Sequence, residues 1–252
     1  MLRSIDINCD LGELEDGSDL AIMPFVSSCN IACGGHAGNI MLMQKALREA
    51  SKYQVKVGAH PGYPDRENFG RISLKMDKGE MAEMIFEQLS GLRQVANEND
   101  IPVSYVKLHG ALYHDAAKSK EMATVIMRTI ADFDPKMGFL GLAGTYHESA
   151  ANACAIDFFG EAFIDRRYGE DGKLLARSVS GSILEKEEEV TNQLLLLVNE
   201  HKVLSKAGNA IPIIADSICI HGDHDGALER AKKISMSLRD NRIEVKSFLD
   251  KR

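Results

Sequence analysis

Acids and imidazoles recur directly after short apolar runs of this chain. Asp10 and Glu13 follow residues 4–9, His36 follows 28–32, His60 follows 55–59, and His109 follows 103–108. Asp165 and Arg166 follow residues 157–163, while His221 and Asp223 follow 217–220. Counting His224, five of the eight histidines stand at or near such ends. Carboxylates and imidazoles are the side chains that move protons near neutral pH. Lys107, two residues before His109, adds a cation that can face developing negative charge. Any one of these histidines taken alone is more simply a hydrogen-bonded loop or core residue. Several at successive run ends are hard to supply by accident. The glycines beside them (Gly34, Gly35, Gly38, Gly62, Gly110 and Gly222) let backbone approach a ligand closely.

These residues need elements to bring them together. The apolar runs at 4–9, 28–32, 55–59, 103–108, 138–142, 157–163 and 217–220 read as strands, with 243–248 a candidate eighth. Between them, 40–52, 78–99, 119–133, 146–153, 183–201 and 227–241 read as helices. In 78–99 the residues Met81, Met84, Ile85, Leu89, Leu92, Val95 and Ala96 recur at three- and four-residue spacing, the pattern of an amphipathic helix. Alternating strand and helix predicts a parallel α/β fold, and seven or eight units in 252 residues suit a β/α barrel better than an open sheet. No linker or repeat divides residues 1–252, which read as one domain. Two long connections, 61–77 and 166–181, exceed the usual loop length and are candidate functional loops, the second a candidate lid.

Facing arithmetic sharpens the expectation. Asp6, Asn8 and Asp10 share one face of the first strand; Tyr105, Lys107 and His109 share a face of the fourth. Phe159, Glu161, Phe163 and Asp165 lie together in the sixth, and Ser217, Cys219 and His221 in the seventh. A parallel strand covered on both sides should be apolar on both, so a polar face pointing into a barrel is costly unless paired or used. Strand C-terminal ends meet at one mouth of such a barrel, where the site is built. Asp6 and Asn8 remain open between a structural role and a functional one. Lys107 reads as functional, or else as a buried ion pair with Glu161 or Asp6.

Other chemistries are absent. The sequence has no phosphate-binding Gly-x-x-x-x-Gly-Lys-Ser/Thr loop, no dinucleotide Gly-x-Gly-x-x-Gly and no Gly-x-Ser-x-Gly elbow. Five cysteines without a Cys-x-x-Cys pair argue against structural zinc and for a reducing, cytoplasmic setting. The most metal-like local cluster is His221-Gly-Asp223-His224-Asp225, and metal binding is left open. A net charge of −7 with no basic tract argues against nucleic acid, and no apolar run is long enough for a membrane span.

Seven segments resemble the LamB/YcsF family, whose members are the A subunits of 5-oxoprolinase. They are Asp6-Ile-Asn-Cys-Asp-Leu-Gly-Glu13, Asn30-Ile-Ala-Cys-Gly-Gly-His-Ala-Gly38, Val57-Gly-Ala-His-Pro-Gly-Tyr-Pro-Asp65, Phe69-Gly-Arg71, Val106-Lys-Leu-His-Gly-Ala-Leu-Tyr113, Glu161-Ala-Phe-Ile-Asp-Arg-Arg-Tyr168 and Ile218-Cys-Ile-His-Gly-Asp223. The chain departs from the family pattern at Gly35, Asn39, Ile72, Leu108 and Asp225. The resemblance implies a distorted seven-stranded β/α barrel of TIM-like form, related to the polysaccharide deacetylase barrels. It implies ATP-dependent opening of the lactam 5-oxoproline to L-glutamate, with Mg2+ accompanying the ATP, together with partner subunits B and C. On that reading Asp10, Glu13, His36, His60, His109 and Lys107 are the catalytic candidates. Asn8, Asn30, Tyr63, Arg71, Glu161, Arg166, His221 and Asp223 are the substrate-binding candidates, with Lys107 and Arg71 holding phosphate or carboxylate charge. Two other readings stand beside it: a stand-alone metal-dependent deacetylase or amidohydrolase, and a non-catalytic substrate-binding or scaffolding subunit. Homo-oligomerisation is left open.

Overall fold

The computed structural model describes residues 3–175, 179–220, 222 and 226–251. The strands are β1 (Arg3–Leu11), β2 (Ser28–Ala32), β3 (Lys56–His60), β4 (Val103–Val106), β5 (Gly138–Leu142), β6 (Phe158–Phe163), β7 (Lys202–Leu204), β8 (Ala210–Pro212), β9 (Ser217–Ile220) and β10 (Ile243–Val245). The helices are α1 (Ile40–Tyr53), α2 (Lys78–Asn97), α3 (Gly110–Lys118), α4 (Lys120–Phe133), α5 (Tyr146–Ala153), α6 (Glu187–Glu200) and α7 (Ala227–Asp240). Among the described residues, β1-β2-β3-β4-β5-β6-β9 pair in parallel and β9 returns to β1, closing a seven-stranded barrel. Closure leaves no open edge along these strands. The eighth candidate strand is present only as β10, paired with Arg3–Ile5 at the start of β1 and outside the closed ring.

Each barrel strand leads into a helix that covers the outer face. Local sequence sets their starts: Asn39 caps α1 by accepting from Leu42 N, and Asp77 with Glu80 forms a capping box on α2. The periodic residues of α2 are all buried, as their spacing requires. Each of the larger ones, from Met81 to Val95, contributes roughly 1.5–3 kcal/mol by leaving water.

Three elements were not anticipated. A 3-10 helix, Ser18–Phe25, occupies the β1–β2 connection; α3 begins at Gly110; and β7 and β8 form a separate antiparallel pair. The helix expected over 183–201 starts only at Glu187, because Ile183 bridges to Arg166.

The barrel is filled in layers. Tyr105, Leu140, Phe159 and Phe248 close the end where the strands begin. The Phe248 ring centroid lies 5.0 Å from that of Tyr105 and 4.3 Å from that of Phe159. Gly58 faces this plug, and a Cβ there would lie 2.4 Å from the Tyr105 ring. Above the plug, Asp6 accepts from the hydroxyls of Ser27, Ser28 and Ser217. Asp6 therefore serves the barrel's lower half.

Candidate active site

Lys107 is the first charge above Asp6, and it is buried. Its Nζ lies 2.9 Å from Asp10 Oδ1, 2.8 Å from Glu161 Oε1, 3.2 Å from Asn8 Oδ1 and 3.1 Å from Cys219 Sγ. Burial alone would lower its proton affinity, yet Asp10 and Glu161 hold the ammonium well above its ordinary value, so it stays charged. With its N–H groups engaged in this way, Lys107 fixes Asp10 and Glu161 in place, which is the buried ion pair with Glu161 that the sequence left open beside a functional role. Asn8 donates to Glu161 and Ser217 and accepts from Asn30, which also donates to Asp10. Asn8, Asn30 and Glu161 thus form a support beneath Asp10.

The second group lies one layer up. His60 enters from the end of β3, His109 from the start of α3, and Glu13 and His36 from the loops after β1 and β2. His60 Nδ1 meets the Lys107 carbonyl at 2.8 Å, and His109 Nε2 meets the Phe69 carbonyl at 2.9 Å. The two remaining ring nitrogens, His60 Nε2 and His109 Nδ1, face each other at 3.0 Å. Glu13 Oε1 lies 2.9 Å from His36 Nε2, 3.1 Å from His109 Nδ1 and 3.6 Å from His60 Nε2; Asp10 Oδ2 lies 3.3 Å from His60 Nε2. The His36 and His109 rings stack with centroids 3.6 Å apart.

The connection over 61–77 shapes this layer. Phe69 adopts φ +55°, strained for a residue with a side chain, and Gly70 follows at φ +62°. That turn aims the Phe69 carbonyl at His109. Gly70 packs against both rings, where a Cβ would lie 2.7 Å from that of His36 and 3.1 Å from the His109 ring. Arg66 ties the same loop to the His36 loop through the carbonyls of Gly34 and Gly38.

Burial tunes the four groups differently. It pushes His36 down to about 4, leaving a neutral ring at neutral pH. It also opposes charge on His60, but Asp10 and Glu13 outweigh it and raise that imidazole above its usual value. Glu13 resists the upward push of burial because His109 and His36 beside it keep the carboxyl well below its usual range. Glu13, His36, His60 and His109 form a group of metal-type donors with one atom each within 4.8 Å of the others.

Above the cluster opens a cavity of about 1130 Å³. Asp10, Lys107 and His109 lie on its wall, with Arg71, Arg166, His114 and Lys173 around it. Arg71 is exposed and stacks over the Phe69 ring at 5.0 Å. The 166–181 connection contributes Lys173, Leu174 and Leu175 to the wall, with residues 176–178 outside the described set.

Of the catalytic candidates, Asp10, Lys107 and His109 reach the cavity, whereas Glu13, His36 and His60 stand directly behind them. Of the substrate-binding candidates, Arg71 and Arg166 reach it. Tyr63 is fully buried and its hydroxyl donates to Asp115. His221 and Asp223, and the local cluster they belong to, lie outside the described residues. Sequence reasoning placed Cys219 on the inward face with Ser217 but did not count it among the site residues, whereas its Sγ lies 3.1 Å from Lys107 Nζ. That reasoning missed the Phe69 carbonyl and Gln88, whose amide clasps Gly62 through both its N–H and its oxygen. A backbone acceptor leaves no signal in residue type.

A closed parallel β/α barrel with acids and imidazoles at its strand ends defines a barrel-mouth active site of the enzyme type. The LamB/YcsF family profile matches residues 5–252, and the chain belongs to that family. It is 38% identical over 244 residues to the 5-oxoprolinase A subunit of Neisseria meningitidis serogroup C (strain 053442), covering 97% of this chain and 99% of that one. The crystal structure of a lactam utilization protein from Thermus thermophilus aligns with a TM-score of 0.91 at 34% identity, over 97% of this chain and 99% of that one. A family 4 carbohydrate esterase from Streptomyces lividans shares the fold alone, with a TM-score of 0.52 at 7% identity over 96% and 91% of the two chains.

Proposed function

We propose that this chain opens the lactam of 5-oxoproline to L-glutamate as one subunit of an ATP-coupled hydrolase, working with partner subunits B and C. The observation that carries the reading is the convergence of Asp10, His60 and His109 beneath a cavity bordered by arginine. The names carried by the relatives supply the substrate. Water adds to the ring carbonyl carbon, the C–N bond breaks, and the ring nitrogen leaves as an amine after taking a proton. Asp10, at the cavity wall with one oxygen toward His60, orients the water and accepts its proton. The proton that Asp10 takes from the water then passes to the ring nitrogen as the C–N bond breaks. Arg71 and Arg166 suit the ring's carboxylate, because guanidinium pairs with carboxylate in a fork. Lys107 holds Asp10 in position. A lactam amide is a poor electrophile, so its oxygen first takes the terminal phosphoryl group of ATP, releasing ADP; water addition and C–N cleavage then leave an acyl phosphate, which a second water hydrolyses to L-glutamate and inorganic phosphate. Since the chain has no phosphate-binding glycine loop, we assign ATP and its Mg2+ wholly or partly to a partner subunit.

The test is glutamate release from 5-oxoproline with and without ATP, using this chain alone and with subunits B and C. Turnover that needs ATP and every subunit, and that falls at least 100-fold in His109→Gln, supports the reading. Full assembled activity in His60→Ala and His109→Ala would show a non-catalytic subunit. Hydrolysis of an acetylated or cyclic amide by this chain without ATP would overturn the lactam assignment.

A further inference from the structure

We propose that Glu13, His60 and His109 form a binding site for one divalent transition-metal ion, with an open coordination position toward the cavity. The argument comes from where the ring protons must be. A carbonyl oxygen only accepts, so the 2.8 Å contact of His60 Nδ1 with the Lys107 carbonyl places the proton of His60 on Nδ1. The 2.9 Å contact of His109 Nε2 with the Phe69 carbonyl likewise places its proton on Nε2. In the neutral rings His60 Nε2 and His109 Nδ1 are therefore bare lone pairs, and they confront each other at 3.0 Å. Glu13 Oε1, 3.6 and 3.1 Å from these nitrogens, also only accepts, as does Asp10 Oδ2 at 3.3 Å from His60 Nε2. His60 Nε2, His109 Nδ1 and Glu13 Oε1 thus oppose one another with no hydrogen between them. A single added proton cannot relieve all three contacts, whereas an ion bound by these three atoms does, with Asp10 beside its open position.

The dimensions agree. An ion with bonds of about 2.1 Å in tetrahedral geometry keeps its donors roughly 3.4 Å apart, and the pairs here span 3.0–3.6 Å. Histidine ligands ordinarily donate their second N–H to a backbone carbonyl or carboxylate, which fixes the ring with its lone pair on the metal. Both rings show that support, and the strained turn at Phe69 supplies one half of it. His36, 2.9 Å from Glu13 Oε1, orients the carboxylate from outside. Two imidazoles and one carboxylate suit Zn2+, Co2+ or Fe2+ over Mg2+, which prefers oxygen throughout. The site is thus separate from any Mg2+ that accompanies ATP. His109 and Asp10 border the cavity, so the free position faces it.

The inference does not depend on which substrate the cavity takes. The test uses the full chain stripped with chelator and dialysed, then titrated calorimetrically with Zn2+, with bound metal measured by elemental analysis and Co2+ used as a spectroscopic probe. About one ion per chain, the intense visible bands of four-coordinate Co2+, and affinity lowered roughly 100-fold in His60→Gln and His109→Gln support the site. His109→Gln keeps a donor for the Phe69 carbonyl, and a thermal melt of each metal-free variant checks that it folds. His201→Gln, an exposed histidine outside the cluster, should bind as the parent does. Less than about a tenth of an ion per chain would overturn the site, as would binding that survives both cluster variants or falls equally in His201→Gln. A chain that binds no ion yet supports lactam opening refutes the site alone. A chain that binds one ion and opens no lactam refutes the functional reading alone.

Discussion

The two ends of the barrel interior solve opposite problems. Where the strands begin, Tyr105, Leu140, Phe159 and Phe248 fill the space with aromatic and aliphatic surface, and the Tyr105 hydroxyl finds the Cys29 carbonyl at 3.0 Å. Where they end, the same cylinder holds Asp10, Glu13, His36, His60, Lys107 and His109, all buried or nearly so. The lower end gains stability from leaving water. The upper end gives some up, because a buried ion pair seldom exceeds what apolar packing would yield. It persists as an interlocked set in which Lys107 holds Asp10 and backbone carbonyls orient the rings. One end keeps the cylinder closed, and the other keeps charges where a ligand can meet them.

Substitutions can break this contrast, beginning with the largest effect. Lys107→Met leaves Asp10 and Glu161 as buried carboxylates without their cation. It should cost about 3–5 kcal/mol in urea unfolding and lower turnover at least 100-fold; unchanged stability would show that the ammonium does not hold the layer. Phe248→Ala should cost about 3–4 kcal/mol by opening a cavity under Tyr105 and Phe159. Its kcat and KM per folded molecule should stay at the parent level, and a drop in kcat would show that the two ends are coupled.

A pH series sharpens the contrast using an imidazole that no carboxylate rescues. His147 is as buried as His60, but its Nδ1 accepts from the Leu142 amide and burial pushes it down to about 3. The folded chain thus keeps His147 neutral while the unfolded chain protonates it near 6.5. Its contribution is complete above pH 6.5 and is lost as pH falls toward about 3. Between pH 7 and pH 5 the parent should lose about 2 kcal/mol more than His147→Asn, which does not titrate; equal slopes would sink the assignment. The smallest effect belongs to the cavity rim. Arg71→Gln should raise KM for the lactam about tenfold, or about 1.4 kcal/mol, with kcat little changed, and an unaltered KM would remove Arg71 from substrate binding.

Much of this arrangement was legible in the residues. The strand-end positions of Asp10, His36, His60 and His109 and the inward parity of Asn8, Lys107, Glu161 and Cys219 follow from a period of two and the convergence of parallel strands. The antiparallel pair β7–β8 was not legible, since three-residue strands carry too little pattern. Nor was α3, whose first residue, Gly110 at φ +53°, reads locally as a turn. The metal-like spacing within 221–225 drew attention by its local density. The convergence found among the described residues draws Glu13, His60 and His109 from positions nearly a hundred apart in the chain.

What the sequence determined by itself is the set of groups and the end of the barrel at which they appear. It could not say which groups touch, because that depends on the order in which the strands close and on how each loop turns back over the mouth. The sequence left Lys107 open between a ligand and an ion pair; closure of β9 onto β1 set it between Asp10 and Glu161 at the cavity wall. His60 and His109 could as well have carried their protons on the inner nitrogens. The carbonyls of Lys107 and Phe69 decided otherwise, and a carbonyl belongs to the backbone path, which only the folded chain defines.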